Sequence, residues 1–321
     1  MIWDIRVLVD EEPQISPTLA IFFEGCNLGC RFCMAYEHTR SADGLSRRPQ
    51  AADGDLYRDL CDVFTKAAQV QVRTVSLLGG EPSLYLDEAR AAWMTAKRDG
   101  FAVPPVVLNS NMLLEPDDIW RRCDFVSFYV ADLKFGNDEC ARALTSRPAR
   151  YFETVTSAVQ TAASLPASRV IIRHLPLPGH VQCCTIPILE WVERNMPDTE
   201  VHLMMDYYAN GRSGMPGLER TLTRAETTAV LGAAHGLRVR PIPPSGPIAQ
   251  TREGADVPNL SRTSQVASVI IREDGSVLIP DLPRELGFLV EELCPETAKR
   301  SPSPGRARPS PSRKSSRHDV T

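Results

Sequence analysis

The sequence predicts an α/β fold, an open and curved partial (β/α)6 barrel built on a parallel sheet. Three observations lead there. Six short apolar runs of strand character alternate with stretches of helical periodicity. Six such units are too few to close an eight-unit barrel. Polar motifs fall just after the strands, where parallel α/β sheets gather their chemistry.

Leu19 to Phe23 is the first strand, and it ends on a cysteine-rich loop. Leu56, Leu60, Val63, Ala67 and Val70 then recur at helical spacing. Thr74 to Leu78 is the second strand and runs into Gly79-Gly80-Glu81-Pro82. Leu86, Ala89, Trp93 and Ala96 mark a helix stopped by Gly100. Val106 to Leu108 is the third strand and opens onto Asn109-Ser110-Asn111. Pro116 starts a helix at its first turn, where its missing N–H costs nothing. Phe125 to Ala131 is the fourth strand and leads to Asp132-Leu133-Lys134. Phe152, Val155, Val159 and Ala162 define the next helix, and Val170 to Arg173 the fifth strand. Thr185 is the expected cap of a helix carrying Ile186, Leu189, Val192 and Met196. Val201 to Met205 is the sixth strand, and Thr223 with Glu226 forms a capping box for a last helix.

Composition divides the chain into a core over 1–240, an extension over 241–296 and a tail over 297–321. The extension begins with a loop over 241–262 rich in Pro, Gly, Ser and Thr. It continues into a predicted hairpin over 266–279 with an Asp274-Gly275 turn. Ser, Pro and Arg dominate the tail, which is expected to be disordered. The tail holds seven Lys/Arg against Asp319 alone, so the preceding 296 residues carry 29 basic and 39 acidic residues, a net of −10. So acidic a body argues against a nucleic-acid partner.

Nine cysteines in a 321-residue chain do not make a disulfide scaffold: the number is odd, and three crowd into one short motif. The first residues lack the basic-then-apolar pattern of a signal peptide. No apolar run approaches the roughly 20 residues of a membrane helix, so no membrane partner is expected. A reducing cytoplasm is the expected location.

The chemistry centres on Cys26, Cys30 and Cys33, spaced C-x3-C-x2-C on the loop after the first strand. Three thiolates so close can hold three corners of a four-iron cube and leave one iron open to a small molecule. Structural zinc ordinarily takes four Cys/His ligands, commonly as two separated pairs. No C-x2-C pair follows later, and His38 reads as an ordinary loop residue. Most of Cys61, Cys123, Cys140, Cys183, Cys184 and Cys294 are expected to be buried or partly buried free thiols. Their only close pair is Cys183-Cys184, so one cluster is predicted.

Glu12-Pro-Gln-Ile-Ser16, Ile21-Phe-Phe-Glu-Gly-Cys-Asn-Leu28, Leu-Leu-Gly-Gly-Glu-Pro, Asn-Ser-Asn, Asp-Leu-Lys-Phe-Gly and Ile-Ile-Arg-His-Leu-Pro-Leu-Pro-Gly carry a resemblance over about 11–240. The chain resembles the radical S-adenosylmethionine (SAM) superfamily. Within it, the chain is similar to the pyruvate formate-lyase activating enzyme-like group, in particular its PflX-like branch. The resemblance implies one [4Fe-4S] cluster on Cys26, Cys30 and Cys33, with SAM chelated at the open iron. Reductive cleavage of SAM would then give a 5′-deoxyadenosyl radical that abstracts hydrogen. No catalytic residue beyond the cluster ligands is implied.

The resemblance also implies a SAM site. Phe32 would pack near the adenine, and Gly79, Gly80 and Glu81 would meet the ammonium. Asn109, Ser110 and Asn111 would bond the ribose or the carboxylate. The activating enzymes often have Asp-Thr-Asn-Gly at this point, so Asn109 and Met112 are departures. Asp132 and Lys134, two apart on an extended segment, would face SAM together. Arg173 requires a carboxylate, supplied by SAM or by an internal acid. Near the end of the sixth strand, where the activating enzymes place a histidine, this chain has Tyr207 and Tyr208, so no histidine is carried over. The family's usual electron donor is a flavodoxin or ferredoxin. The partner would be a glycyl radical enzyme, or else the substrate is a small molecule or peptide. A reading of another class is a non-enzymatic carrier of the cluster, for which the polar motifs at the strand ends have no use.

Overall fold

The computed structural model describes residues 1–8, 12–39, 53–145, 150–209, 214–215, 217–235, 237, 239–242, 270–271 and 277–278. By contacts the chain falls into two units, Met1–Ser245 and Gly246–Thr321.

The first unit is an eight-stranded sheet whose strands lie in chain order. Strand β1 (Ile2–Leu8) runs antiparallel to β2 (Thr18–Phe23). From β2 the sheet is parallel through β3 (Thr74–Gly79), β4 (Val106–Ser110), β5 (Val126–Asp132), β6 (Arg169–His174), β7 (Glu200–Met204) and β8 (Val239–Ile242). Because β1 and β8 are the two ends of this order, the sheet is open, as the alternation of elements predicts. Two strands were not foreseen. β1 is a partly exposed edge whose Ile5 and Val7 face solvent, so it lacks the apolar run of a buried parallel strand. β8 takes Pro241 and Ile242 out of the expected loop over 241–262. The rest of that loop lies outside the described residues, as do the Asp274-Gly275 turn and the tail.

The crossovers are helical. Helix α1 (Tyr36–Thr39) is one turn, followed by α2 (Asp53–Ala67), α3 (Leu86–Arg98), α4 (Pro116–Arg122) with Pro at its first turn, α5 (Asp138–Leu144) and α6 (Phe152–Ser164). Helix α7 (Ile186–Asn195) and α8 (Arg224–Ala233) complete the set. The Thr223/Glu226 capping box is formed in full. Thr185 does not cap α7: it has helical dihedrals within a π-helical turn over Val181–Thr185. Its hydroxyl donates to His174 Nε2 instead, at 2.9 Å.

Strands β2 to β5 are buried on both faces, and alternate residues serve two cores. Val106, Leu108, Tyr129 and Ala131 join the large core that includes the helices. Val107 and Val130 point the other way and meet Ile15. On the second unit, strands β9 (Ile270–Ile271) and β10 (Val277–Leu278) pair antiparallel, within the hairpin expected over 266–279. No helix among the described residues is long and apolar enough to cross a membrane.

Candidate active site at the strand ends

Cys26, Cys30 and Cys33 lie on the loop leaving β2, all as free thiols, the first two buried. Gly25 and Gly29 adopt φ of 78° and 64°, bending the backbone on either side of Cys26. Gly25 N–H donates to His38 O at 2.8 Å, and Arg31 N–H to Leu144 O at 2.9 Å, so both ends of the loop are tied down. His38 itself stacks on Trp3, with centroids 3.8 Å apart. Leu28 N–H donates to Cys26 Sγ at 3.4 Å, and Thr39 Oγ1 to Cys33 Sγ at 3.8 Å.

Burial pushes the Cys26 thiol up, and the nearby Glu81 charge adds to this. Burial does the same to Cys30, partly offset by the Lys134 ammonium. The three sulfurs are close enough that Cys26 and Cys33 each raise Cys30 as well. Crowded, buried thiols of this kind stay protonated on their own and release their protons when a metal binds the thiolates. The donor set therefore fits an iron–sulfur cube with three protein ligands, and Lys134 supplies compensating positive charge.

The Gly79-Gly80 pair at the end of β3 brings two backbones together. Gly79 has φ 110°, and a Cβ there would stand 2.6 Å from Phe23 N. A Cβ on Gly80 would stand 1.9 Å from Gly25 O. Gly80 N–H donates to Phe23 O at 2.7 Å. The pair thus lets β3 press against the backbone that enters the cysteine loop.

Glu81 follows, almost fully buried. Its Oε1 accepts from Ser110 Oγ at 2.6 Å and from Ser83 N–H at 3.1 Å, and its Oε2 from Asn111 N–H at 2.9 Å. Burial raises its pKa in spite of these bonds. The side chain expected to meet an ammonium is therefore already engaged in joining β3 to the end of β4. Asn111 Nδ2 donates to Asn27 Oδ1 at 2.8 Å and lies 3.9 Å from Cys26 Sγ. Met112 has a glycine-like φ of 56°. Ser110 Oγ accepts its N–H at 3.0 Å. Asn109 is half-buried on β4.

Phe32 is buried edge-on against Phe135 and Tyr207, at 6.0 and 6.5 Å between centroids. Tyr207 is buried and donates to Leu218 O at 2.8 Å, while Tyr208 is exposed.

Across the sheet, charges take over. Lys134 Nζ donates to Asp132 Oδ2 at 2.7 Å, so the two do face the same way. Burial pulls the ammonium pKa down, but Asp132 and Cys30 more than offset it and the net shift is upward. Arg173 Nη2 and Nε donate to Glu12 Oε1 at 2.5 and 3.0 Å, and Nε lies 4.0 Å from Asp132 Oδ1. Glu12 is thus an internal acid that Arg173 holds.

His202 Nδ1 meets the same Glu12 oxygen at 3.2 Å, and its Nε2 meets Glu200 Oε1 at 2.9 Å. Burial pushes Glu12 up, but His202 and Arg173 outweigh it and hold the carboxyl below its usual value. Burial pulls His202 down, and Glu12 and Glu200 outweigh that, so its pKa rises. His174 differs: burial drops its pKa to about 4. Neutral, it donates from Nδ1 to Leu133 O at 2.6 Å.

The sequence motif of the Radical SAM superfamily matches residues 20–192, more than half of the chain. The chain belongs to the radical SAM superfamily. The cofactors of that superfamily are a [4Fe-4S] cluster and SAM, which the three-thiol loop suits. The chain is 28% identical over 225 residues to an uncharacterised protein of Methanocaldococcus jannaschii, a match covering 70% of this chain and 64% of that relative's length. Among solved structures it is similar to Streptococcus suis SuiB bound to its precursor peptide SuiA, at TM-score 0.47 and 16% identity, covering 71% of this chain and 49% of that one. It is also similar to coproporphyrinogen III oxidase from Escherichia coli, at TM-score 0.46 and 16% identity, covering 70% of this chain and 52% of that one.

Sequence reasoning missed Glu12, Asn27 and His202. The signal for Glu12 was indirect: Arg173 inside a strand demands a buried acid, but spacing does not say which. Cys61 and Cys123 are free thiols, and burial pushes Cys123 up to about 12. Cys294 lies outside the described residues.

Proposed function

We propose that this radical SAM protein cleaves SAM reductively and abstracts hydrogen from a substrate presented at the C-terminal ends of its parallel strands. The observation that carries this is the convergence of the three cysteines, Glu81, Asn111 and Lys134 around one loop. When bound, the cluster and SAM would supply an electron to the sulfonium and a 5′-deoxyadenosyl radical for hydrogen abstraction.

The chain's own residues would do the rest. Cys26, Cys30 and Cys33 would hold the cluster, and Lys134 would balance the charge at Cys30. Gly79 and Gly80 would bring backbone carbonyls to the SAM ammonium, with Glu81 fixing that turn rather than swinging free. Asn109, Ser110 and Asn111 would present polar groups to the ribose or carboxylate. Phe32, with Phe135 and Tyr207 behind it, would give an apolar wall for the adenine and exclude water. Asp132 would set the position of Lys134, and Arg173 would hold the wall next to it through Glu12.

Electron paramagnetic resonance (EPR) of the anaerobically reconstituted, reduced protein tests the reading. A four-iron signal that changes on adding SAM, with 5′-deoxyadenosine released, is expected. A four-iron signal indifferent to SAM would favour the carrier reading, and zinc on Cys26, Cys30 and Cys33 would reject both. The resemblance over 11–240 supports a backbone glycine of a partner enzyme as the target, with a flavodoxin or ferredoxin as donor. A stable glycyl radical signal on mixing with a co-encoded glycyl radical enzyme is the expected result. SAM cleavage without that signal would point to a small molecule or peptide instead.

A further inference from the structure

A second group of ligand side chains lies on different loops from the first. Cys140 sits in the first turn of α5, beyond β5. His180, Cys183 and Cys184 come from the segment between β6 and α7. Cys140 Sγ is 3.5 Å from Cys183 Sγ and 3.6 Å from His180 Nδ1. Cys183 Sγ is 3.5 Å from the same nitrogen. With the buried Cys184, all four ligand atoms lie within 4.8 Å of one another. The three cysteines are free thiols.

These separations suit one small metal ion. Zinc–sulfur and zinc–nitrogen bonds of about 2.3 and 2.0 Å at tetrahedral angles place sulfurs about 3.8 Å apart and sulfur about 3.5 Å from nitrogen. A disulfide would need about 2.05 Å. A four-iron cube puts each thiolate on a different iron and spreads the sulfurs wider. Three thiols and an imidazole are also the donor set of closed zinc sites.

The surroundings are shaped to this group. The π-helical turn over Val181–Thr185 interrupts the approach to α7 at the two adjacent cysteines, and such turns recur at functional sites. Gly136 admits that turn: a Cβ there would stand 2.5 Å from Cys184 O and 2.8 Å from its Cα. Asn137 clamps both halves. Its Oδ1 accepts from Cys140 N–H at 2.8 Å, and its Nδ2 donates to Cys183 O at 2.6 Å and to Cys140 Sγ at 3.5 Å. Outer partners of this kind orient metal ligands.

We propose that Cys140, His180, Cys183 and Cys184 form a mononuclear zinc site, separate from the 26–33 loop, that clips the loop after β5 to the loop after β6. Four protein ligands leave no open position, so its role is structural. It anchors the segments that follow Lys134 and His174.

The test uses the full chain, purified without oxygen from zinc-replete cells. About one zinc beside about four irons per chain is expected. The Cys26→Ala/Cys30→Ala/Cys33→Ala variant should keep zinc and lose iron, whereas Cys183→Ala and His180→Ala should do the reverse. Those last variants can fail to fold, so X-ray absorption at the zinc edge of the unmutated protein decides. It should show three sulfurs at about 2.3 Å and one nitrogen at about 2.0 Å. Less than about a tenth of a zinc per chain, a shell of oxygen and nitrogen, or zinc lost with the 26–33 cysteines would overturn the proposal. So would about eight irons per chain, or a Cys140–Cys183 disulfide mapped by mass spectrometry.

Discussion

The two sides of the strand-end mouth are built differently. On the side of β2 to β4, contiguous motifs supply the groups: a cysteine loop, a Gly-Gly-Glu turn and an Asn-Ser-Asn strand end. On the side of β5 to β7, single residues far apart in the chain meet as buried charges, Glu12 with Arg173 and with His202, the latter 190 residues away. The first side spends its residues on backbone approach and the three cluster cysteines, the second on tying strands and loops together. Removing a ligand on the first should therefore abolish chemistry and leave most of the fold, and breaking a buried pair on the second should do the reverse.

The largest effect belongs to the cysteines. Cys30→Ala should take iron from about four per chain to near zero and abolish 5′-deoxyadenosine formation. Circular dichroism should be unchanged. A melted spectrum would show that the loop holds up the fold, and the contrast between the sides would fall.

Gly80→Ala comes next, because its new Cβ meets backbone rather than a movable side chain. Overpacking of this kind costs about 3 kcal/mol. Iron uptake should fall with it, since Gly25 opens the cysteine loop. Denaturation and iron assay of one sample check both, and full iron retention would show that β3 can withdraw without disturbing the loop.

On the charged side, Arg173→Met should destabilise the protein by about 3 kcal/mol or more by leaving a buried carboxylate without its main partner. Iron content in the surviving folded fraction should be unchanged. The pH dependence has a sign. Because the folded pKa of His202 is raised above 6.5, its charged contacts stabilise fully below that value and are lost as pH rises through the folded pKa. The stability advantage of the wild type over His202→Gln should therefore hold up to about pH 6.5 and shrink above it in urea titrations. An advantage that grows with pH would mean a neutral folded imidazole.

The same contrast governs what was legible in the sequence. The order of strands, the loop cysteines and the polar strand ends could be read because each is local, a short apolar run or a motif of a few residues. Arg173 announced that it needed an acid, but only folding brings Glu12 beside it. Glu81 stands in a legible motif, but only the fold shows that Ser83, Ser110 and Asn111 hold its carboxylate. β1 was missed because an edge strand with one face in water carries little apolar signal. β8 was missed because Pro241 reads as punctuation, and an edge tolerates it. Cys183-Cys184 reads in sequence as an isolated pair, since Cys140 and His180 join it only in space.

The smallest effect tests whether burial, rather than pairing geometry, sets the strength of the charged side. Arg90 grips Asp124 with two parallel bonds, Nε to Oδ1 at 2.6 Å and Nη2 to Oδ2 at 2.7 Å, whereas both bonds from Arg173 fall on one oxygen of Glu12. By geometry alone the Arg90 pair is the better one. Its side chains, however, are 35% and 53% exposed, against 17% and 0% for Arg173 and Glu12. Water screens the first pair and already solvates its ions when it breaks. A double-mutant cycle on Arg90 and Asp124 should return about 0.2–1 kcal/mol, shrinking with added salt. The cycle on Arg173 and Glu12 should return several times more, nearly independent of salt. A larger coupling at Arg90 would mean that geometry outweighs desolvation in this fold, and that the buried cluster at β5 to β7 is not what holds that side together.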